Sequence, residues 1–276
     1  MTTSKPTHPP SPAVEYSQTD GEWLYRALSQ DLRYGHYARI PGRICRCLDY
    51  FGISFSRSAV QERLCSYYLF IGVVDDVIDS GWLEAGREIL KQLDDKTPFW
   101  SGASWQSAAN LMTEGLRRHI SIEIFPSVLA KLEELYGAVV RERNSQTMTA
   151  YIEQRMAVGR LTAEVSYLLI RPLLKSEHKD LRCFLQKVGE VGCLIDSLID
   201  LRADDRHGLL DFRPGPIDYL KLTSRLVRHG LRILAKHPRL VGLFLEAISD
   251  NILDLIRFRN IRPVPWQSGL IRHSVA

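Results

Sequence analysis

Hydrophobic positions recur with helical spacing from Gly21 onward, and no stretch alternates as a β-strand would. Glycine- and proline-containing turns divide this pattern into a series of predicted helices. The predicted helices are Glu22–Arg33, Arg39–Tyr50, Arg57–Asp79, Leu83–Leu93, Ser104–His119, Pro126–Arg143, Met148–Leu174, Lys179–Arg206, Ile217–Lys236 and Pro238–Arg259. No repeat of solenoid length and no flexible linker is visible. We therefore expect one all-α domain over residues 21–260.

The two ends of the chain differ from this domain in composition. Residues 1–20 are polar and proline-rich, which predicts a mobile tail rather than a signal peptide. Residues 261–276 are predicted to form a flexible C-terminal segment. Apolar runs are shorter than the roughly 20 residues that cross a bilayer, so no integral membrane segment is expected.

Charge and cysteine content exclude several function classes. The 276 residues carry a formal net charge of +4 that no block of lysines or arginines concentrates, which argues against nucleic-acid binding. Five cysteines without Cys-x-x-Cys spacing favour neither a disulfide framework nor a zinc site, and a reducing cytoplasm fits them best. No P-loop, zinc helix or dinucleotide-binding turn is present.

The helix predicted at Arg57–Asp79 is apolar around much of its circumference and ends in three aspartates, Asp75, Asp76 and Asp79. Asp75 and Asp79 lie on one face, while Asp76 is turned aside by about 100°. Carboxylates at a helix C-terminus oppose the helix dipole, so a cation should compensate them. Mg²⁺ prefers such oxygen ligands. A solvated helix end is the alternative interpretation.

A second acidic row recurs on the helix predicted at Lys179–Arg206. Asp196, Asp200 and Asp204 follow one another at intervals of four residues and share one face, where like charges repel. Salt bridges to Arg202 and Arg206 are the structural alternative. Two apolar helices that both end in aligned aspartates are better explained by a shared metal cluster.

The first acidic segment, Asp75-Asp76-Val77-Ile78-Asp79, resembles the DDxxD motif of class I isoprenoid synthases. This all-α family holds terpene cyclases, prenyl diphosphate synthases and squalene/phytoene synthases. The second row is similar to the cyclase Asn-x-x-x-Ser-x-x-x-Glu pattern with aspartate at all three positions, or to the Asp-x-x-x-Asp motif of squalene/phytoene synthases at Asp200 and Asp204. The resemblance implies a single-domain helical bundle around a central apolar cavity. It also implies three Mg²⁺ ions held by Asp75, Asp79, Asp196, Asp200 and Asp204.

The segment TMTAYIEQRMAVGRLTAEV resembles the region in which bacterial terpene cyclases sense diphosphate. The resemblance makes Arg155 the diphosphate sensor, Val158 the linker and Gly159 the effector at a helix break, with Arg155 and Gly159 in catalytic roles. The structural alternative is that Arg155 is a surface ion-pair partner and Gly159 permits close helix packing. The family's downstream Arg-Tyr pair is missing, and Arg257 and Arg259 are its nearest substitutes.

The resemblance implies Mg²⁺-dependent ionisation of an allylic isoprenyl diphosphate, followed by carbocation cyclisation and release of diphosphate. The residues predicted to contact substrate are Asp76, Tyr68, Gly72, Val158 and Arg206. A prenyl-coupling enzyme related to squalene/phytoene or prenyl diphosphate synthases is the alternative, and a non-enzymatic helical scaffold is the third hypothesis. Homodimers are common in the family, so a homodimer is left open.

Overall fold

The computed structural model describes residues 34–79, 82–95 and 104–258, and in these ranges it contains nine α-helices and no strand. The helices are α1 Gly35–Tyr50, α2 Arg57–Asp79, α3 Leu83–Asp95, α4 Ser104–Arg118, α5 Phe125–Arg143, α6 Met148–Ile170, α7 Lys179–His207, α8 Pro216–Lys236 and α9 Val241–Phe258. The predicted all-α class is confirmed. The helix predicted at Glu22–Arg33, the tail of residues 1–20 and the segment of residues 261–276 lie outside the described residues.

Most predicted helix ends agree with the structure. Helix α1 begins at Gly35, four residues before its predicted start at Arg39, and the other large difference lies at the end of α6. The helix was expected to reach Leu174, but it ends at Ile170 and continues as a 3₁₀ turn, Arg171–Leu173. Pro172 has no backbone N–H and cannot continue the α-helical hydrogen-bond ladder, which accounts for the change. At the end of α7 the chain turns through Gly208, whose φ of 68° favours glycine.

Helix α6 is the most enclosed helix and lies between α2 and α7. From α2, the Tyr68 hydroxyl lies 2.9 Å from the Ser166 hydroxyl, and the Arg63 guanidinium donates to the Leu169 carbonyl oxygen at 2.9 Å. The hydrophobic pattern of the sequence singled out α2 and α7 as apolar helices and did not single out α6. Charged residues within α6 make this helix look solvent-exposed in the sequence, because the residues that pair with them lie on a neighbouring helix.

Glu164 is the clearest example of such a hidden charge. Only 3% of this residue is exposed, and its carboxylate accepts hydrogen bonds from both Arg182 and Gln186 of α7. A buried carboxylate without such partners would be strongly destabilising. The pairing shows that an acidic residue in this sequence can belong to the core.

The backbones of α6 and α7 come into direct contact at two glycines. A Cβ atom on Gly159 would lie 2.1 Å from the carbonyl oxygen of Gly189, and a Cβ on Gly189 would lie 2.2 Å from that of Gly159. The expected helix break at Gly159 is wrong, since α6 runs unbroken from Met148 to Ile170. Gly159 instead allows the close helix packing that was the alternative interpretation.

The described part of the chain holds no helix with both the length and the apolar composition needed to span a lipid bilayer.

Replacing Gly159 with alanine is expected to lower the free energy of unfolding by about 3 kcal/mol or more, because the added methyl group would force two backbones apart. Urea unfolding measures this change. Gly192→Ala on α7 is the matched control, because nothing lies within 4 Å of its added Cβ. The control should be neutral or stabilising by up to about 1 kcal/mol. Equal destabilisation by both substitutions would contradict the packing role of Gly159.

Candidate active site

Contacts along α6 bring the acidic ends of α2 and α7 to the same end of the bundle. Moving toward the C-terminus of α6, its partners move toward the N-terminus of α2, from Tyr67 to Arg63. The partners on α7 move backward as well, from Ser197 opposite Arg155 to Arg182 opposite Glu164. Helices α2 and α7 are thus both antiparallel to α6, and their C-terminal ends lie side by side.

Each aspartate of α2 has a partner from another helix or turn. The Tyr37 hydroxyl donates to Asp75 at 2.9 Å, and the Tyr34 hydroxyl donates to Asp76 at 2.9 Å. Asp79 forms an ion pair with Arg143, at the end of α5. The carboxylates are therefore held in place before any ligand binds.

The three aspartates of α7 lie within the electrostatic field of α2. The pKa values of Asp196, Asp200 and Asp204 are each raised to about 6. Desolvation by burial is the largest cause, and the negative charge of Asp75 contributes in all three cases. The charge of Asp75 on α2 therefore acts on all three aspartates of α7, and their binding of a shared metal cluster stays a prediction.

Asp79 shows the same coupling from the side of α2. Its pKa is raised by desolvation and then by the charge of Asp75, and Asp204 of α7 raises it further, while Arg143 opposes the shift. Because the side chain is still 49% exposed, we attribute this shift mainly to the neighbouring carboxylates. The site holds more negative charge than its arginines neutralise.

Arg155 lies between α5, α6 and α7, in contact with groups from all three helices. Its Nε donates to the Ser197 hydroxyl at 2.8 Å, and a terminal nitrogen pairs with Glu142 at 3.3 Å. Its positive charge lowers the pKa of Asp196, Asp200 and Asp204. Arg155 is thus an ion-pair partner inside the site rather than on an open surface.

An apolar cavity of about 190 Å³ opens between α1, α6, α7 and α9. Tyr68, Thr162 and Phe184 contribute to its wall, and Asp196 and Arg43 are the charged residues that border it. The buried Nε of Arg43 has no hydrogen-bond partner among the described residues, although the same guanidinium pairs with Asp250 at 2.5 Å. A charged rim on an apolar cavity suits a ligand with an anionic head and a hydrocarbon tail.

A second, smaller apolar cavity of about 70 Å³ lies on the other side of α2. Asp75, Val158 and Thr162 border it, so Thr162 contributes to both cavities. The predicted substrate contacts of Tyr68 and Val158 are therefore placed in cavity walls.

Three predicted site residues lie elsewhere. Gly72 is covered by the rings of Tyr34 and Tyr37, which would lie 2.9 and 2.8 Å from an added Cβ, so it makes room for those rings. Asp76 is turned toward Tyr34, and Arg206 is exposed at the end of α7, where it donates to the Arg202 carbonyl oxygen. The side chains of Arg257 and Arg259 lie outside the described residues.

Several residues of the site were not identified from the sequence: Tyr34, Tyr37, Arg43, Glu142, Arg143 and Ser197. The two tyrosines precede the predicted start of their helix at Arg39, which removed them from consideration. Their i, i+3 spacing in front of an apolar helix was the available signal.

The donor set fits Mg²⁺ only in combination with a ligand. Within residues 34–79, 82–95 and 104–258, no group of three or more His, Cys, Asp or Glu side chains is arranged to hold a metal ion. Mg²⁺ is commonly bound by one or two carboxylates together with substrate phosphates and water, not by a cage of protein ligands. The aspartates of α2 and α7 are suited to this second arrangement, and a three-ion cluster stays a prediction.

Comparison of the chain with family models, curated proteins and solved structures gives no match.

Asp200→Asn is expected to stabilise the metal-free protein by about 1 kcal/mol at pH 8, after allowance for solvent screening. The reason is that the carboxylate of Asp200 is partly desolvated in the folded state and is also repelled by Asp196. Its folded pKa of about 6 exceeds the unfolded value of about 3.9, so the gain is complete above pH 6 and fades as the pH falls toward 4. Urea unfolding at pH 8 and pH 4 in the presence of a chelator measures it.

Asp205→Asn is the matched control for this substitution, because Asp205 is an exposed neighbour on the same helix. It should leave stability nearly unchanged at both pH values. A loss of stability in Asp200→Asn at pH 8 would show that the carboxylate is favourably paired, contrary to the electrostatic account.

Proposed function

We propose that this protein is a class I terpene synthase, which ionises an allylic isoprenyl diphosphate with Mg²⁺ and cyclises the resulting carbocation. The observation that carries the proposal is the position of two acidic rows, from Asp75 on α2 and from Asp196 on α7, at the same end of the bundle beside an apolar cavity that Asp196 borders. The reaction class comes from the resemblance of the motifs, and the position of the two acidic rows beside the cavity supports it.

The diphosphate head is proposed to bind between the two rows. Asp75, Asp79, Asp196, Asp200 and Asp204 are the oxygen donors that would hold Mg²⁺ there. Mg²⁺ bound at these carboxylates would supply positive charge against the developing charge of the leaving diphosphate. Arg155 adds a permanent positive charge, and the partly unpaired guanidinium of Arg43 adds another at the cavity rim.

The hydrocarbon tail is proposed to occupy the cavity of about 190 Å³. Its apolar wall excludes water, which would otherwise quench a carbocation early. Tyr68 is buried in that wall and its hydroxyl is engaged with Ser166, so its ring is held in one orientation. An aromatic face fixed in this way can stabilise a nearby cation.

A prenyl-coupling enzyme is the second candidate, and the smaller cavity beside Asp75 is the observation that favours it. A coupling reaction needs room for two prenyl chains, and two apolar cavities meet at Thr162. The all-aspartate second motif is compatible with the same function. A cytoplasmic location and a homodimer stay predictions in either case.

Purified protein is expected to convert a single allylic diphosphate to a hydrocarbon or terpene alcohol only when Mg²⁺ is present. Substrates of 10, 15, 20 and 25 carbons, assayed by gas chromatography with mass spectrometry, cover the possible chain lengths. Asp75→Asn and Asp200→Asn should each lower kcat/KM by about 10² to 10³, the range found when one transition-state contact is removed. Asp205→Asn should retain activity.

The same assay separates the two candidates when isopentenyl diphosphate or a second allylic diphosphate is added. A product of greater chain length, formed only when two substrates are present, would show that the protein couples prenyl chains and does not cyclise a single one. Turnover that does not require Mg²⁺, or that persists in both aspartate variants, would rule out either isoprenoid reaction at this site.

A further inference from the structure

Helix α8 carries a row of large aliphatic side chains on the outside of the bundle. Ile217, Leu220, Val227 and Leu231 are 69%, 69%, 50% and 61% exposed, and we call these four residues the α8 stripe. At 100° per residue they fall within about 80° of one face, and they extend over about 21 Å of helix. Exposed Ser224 lies on the same face between Leu220 and Val227, so the stripe consists of two apolar pairs on one side of the helix. Exposed apolar side chains grouped on one face indicate an interaction surface more than single scattered ones do.

The stripe is separate from the face that holds α8 to the rest of the molecule. Leu222 and Ile233, which lie on the opposite side of the helix, are buried at 0% and 4% exposure. Leu222 and Ile233 therefore lie on the face by which α8 packs against the bundle. The α8 stripe has no role in the core that would explain its composition.

A row of basic residues runs beside the stripe along the same helix. Its members, which we call the basic row, are Lys221, Arg225, Arg228, Arg232 and Lys236. By helical geometry this row begins about 20° from the stripe and covers about 80° of the circumference. Four acidic residues lie near it: Asp218 pairs with Lys221 at 3.0 Å, Glu153 of α6 faces the row across a shallow pocket, and Asp180 and Glu190 of α7 line a pocket together with Arg232 and Lys236. The basic charges exceed these acidic ones.

We propose that α8 docks this protein on an anionic lipid surface, with the α8 stripe at the acyl boundary and the basic row against the headgroups. A helix with adjacent apolar and cationic faces is the arrangement that lies in the plane of a membrane interface. Basic residues near an anionic leaflet add attraction that salt screens. This binding does not depend on the reaction catalysed.

Charge also distinguishes a lipid surface from other occupants of the stripe. An antiparallel two-fold contact between two α8 helices would place both basic rows on the same side of the interface, where they repel. A nucleic acid would use the cations but would leave the aliphatic stripe in water. An anionic lipid surface can contact the α8 stripe with its acyl region and the basic row with its headgroups.

Co-sedimentation of the full chain with vesicles tests the proposal. The protein should bind vesicles of phosphatidylcholine mixed equally with phosphatidylglycerol, and binding should weaken with added salt and be much weaker on pure phosphatidylcholine. The double substitution Arg228→Gln with Arg232→Gln should weaken binding about thirtyfold, since each cation near an anionic surface contributes roughly fivefold. Leu220→Ser with Leu231→Ser should weaken binding at least tenfold.

Matched controls are available at the end of α4 and in the turn that follows it. Arg118→Gln removes a cation at the end of α4, and Ile122→Ser removes an apolar side chain that is 84% exposed in the next turn. Both should bind like the unmodified chain, and circular dichroism should show all variants folded. Absence of vesicle binding, or equal binding by all folded variants, would overturn the proposal. So would a dimer that Leu220→Ser with Leu231→Ser dissociates, without vesicle binding by the unmodified chain.

Discussion

The close approach of α6 and α7 at Gly159 and Gly189 is the constraint on which the arrangement of the site depends. With no side chain between the two backbones, the contact leaves little freedom to slide or separate the helices. One turn from Gly159, Arg155 meets Ser197, and the α7 aspartates follow along the same side. The same face of α6 also holds α2, because Ser166 lies two turns after Gly159 and its hydroxyl is 2.9 Å from that of Tyr68. Both acidic rows are thus placed by one central helix.

The arrangement has an electrostatic cost that the fold compensates only in part. Tyr37 and Arg143 stabilise the α2 carboxylates, and Arg155 lowers the pKa values of the α7 carboxylates. Those pKa values nevertheless stay at about 6, because burial and mutual repulsion outweigh the arginine. A site that is short of positive charge in the free protein is suited to gaining it with a ligand, and stability given up for this purpose is common at functional sites.

Helical periodicity was sufficient to predict α2 at Arg57–Asp79 and to place Asp75 and Asp79 on one face, because both depend on local geometry. It did not find Glu142 opposite Arg155, or Tyr37 beside Asp75, because the partners come from separate helices whose register no local pattern specifies. Gly159 shows the limit most clearly: the residue is compatible with either a break or a close contact, and only the position of Gly189 decides between them.

In the proposed site, carboxylates from two different helices bind one diphosphate through Mg²⁺. Titration calorimetry with inorganic pyrophosphate measures this without reference to substrate chain length or product. Binding is expected to require Mg²⁺ and to be weakened at least tenfold by Asp75→Asn on α2 and equally by Asp196→Asn on α7, but not by Asp205→Asn. A shared site would be ruled out by binding without Mg²⁺, or by weaker binding in only one of the two variants, Asp75→Asn or Asp196→Asn.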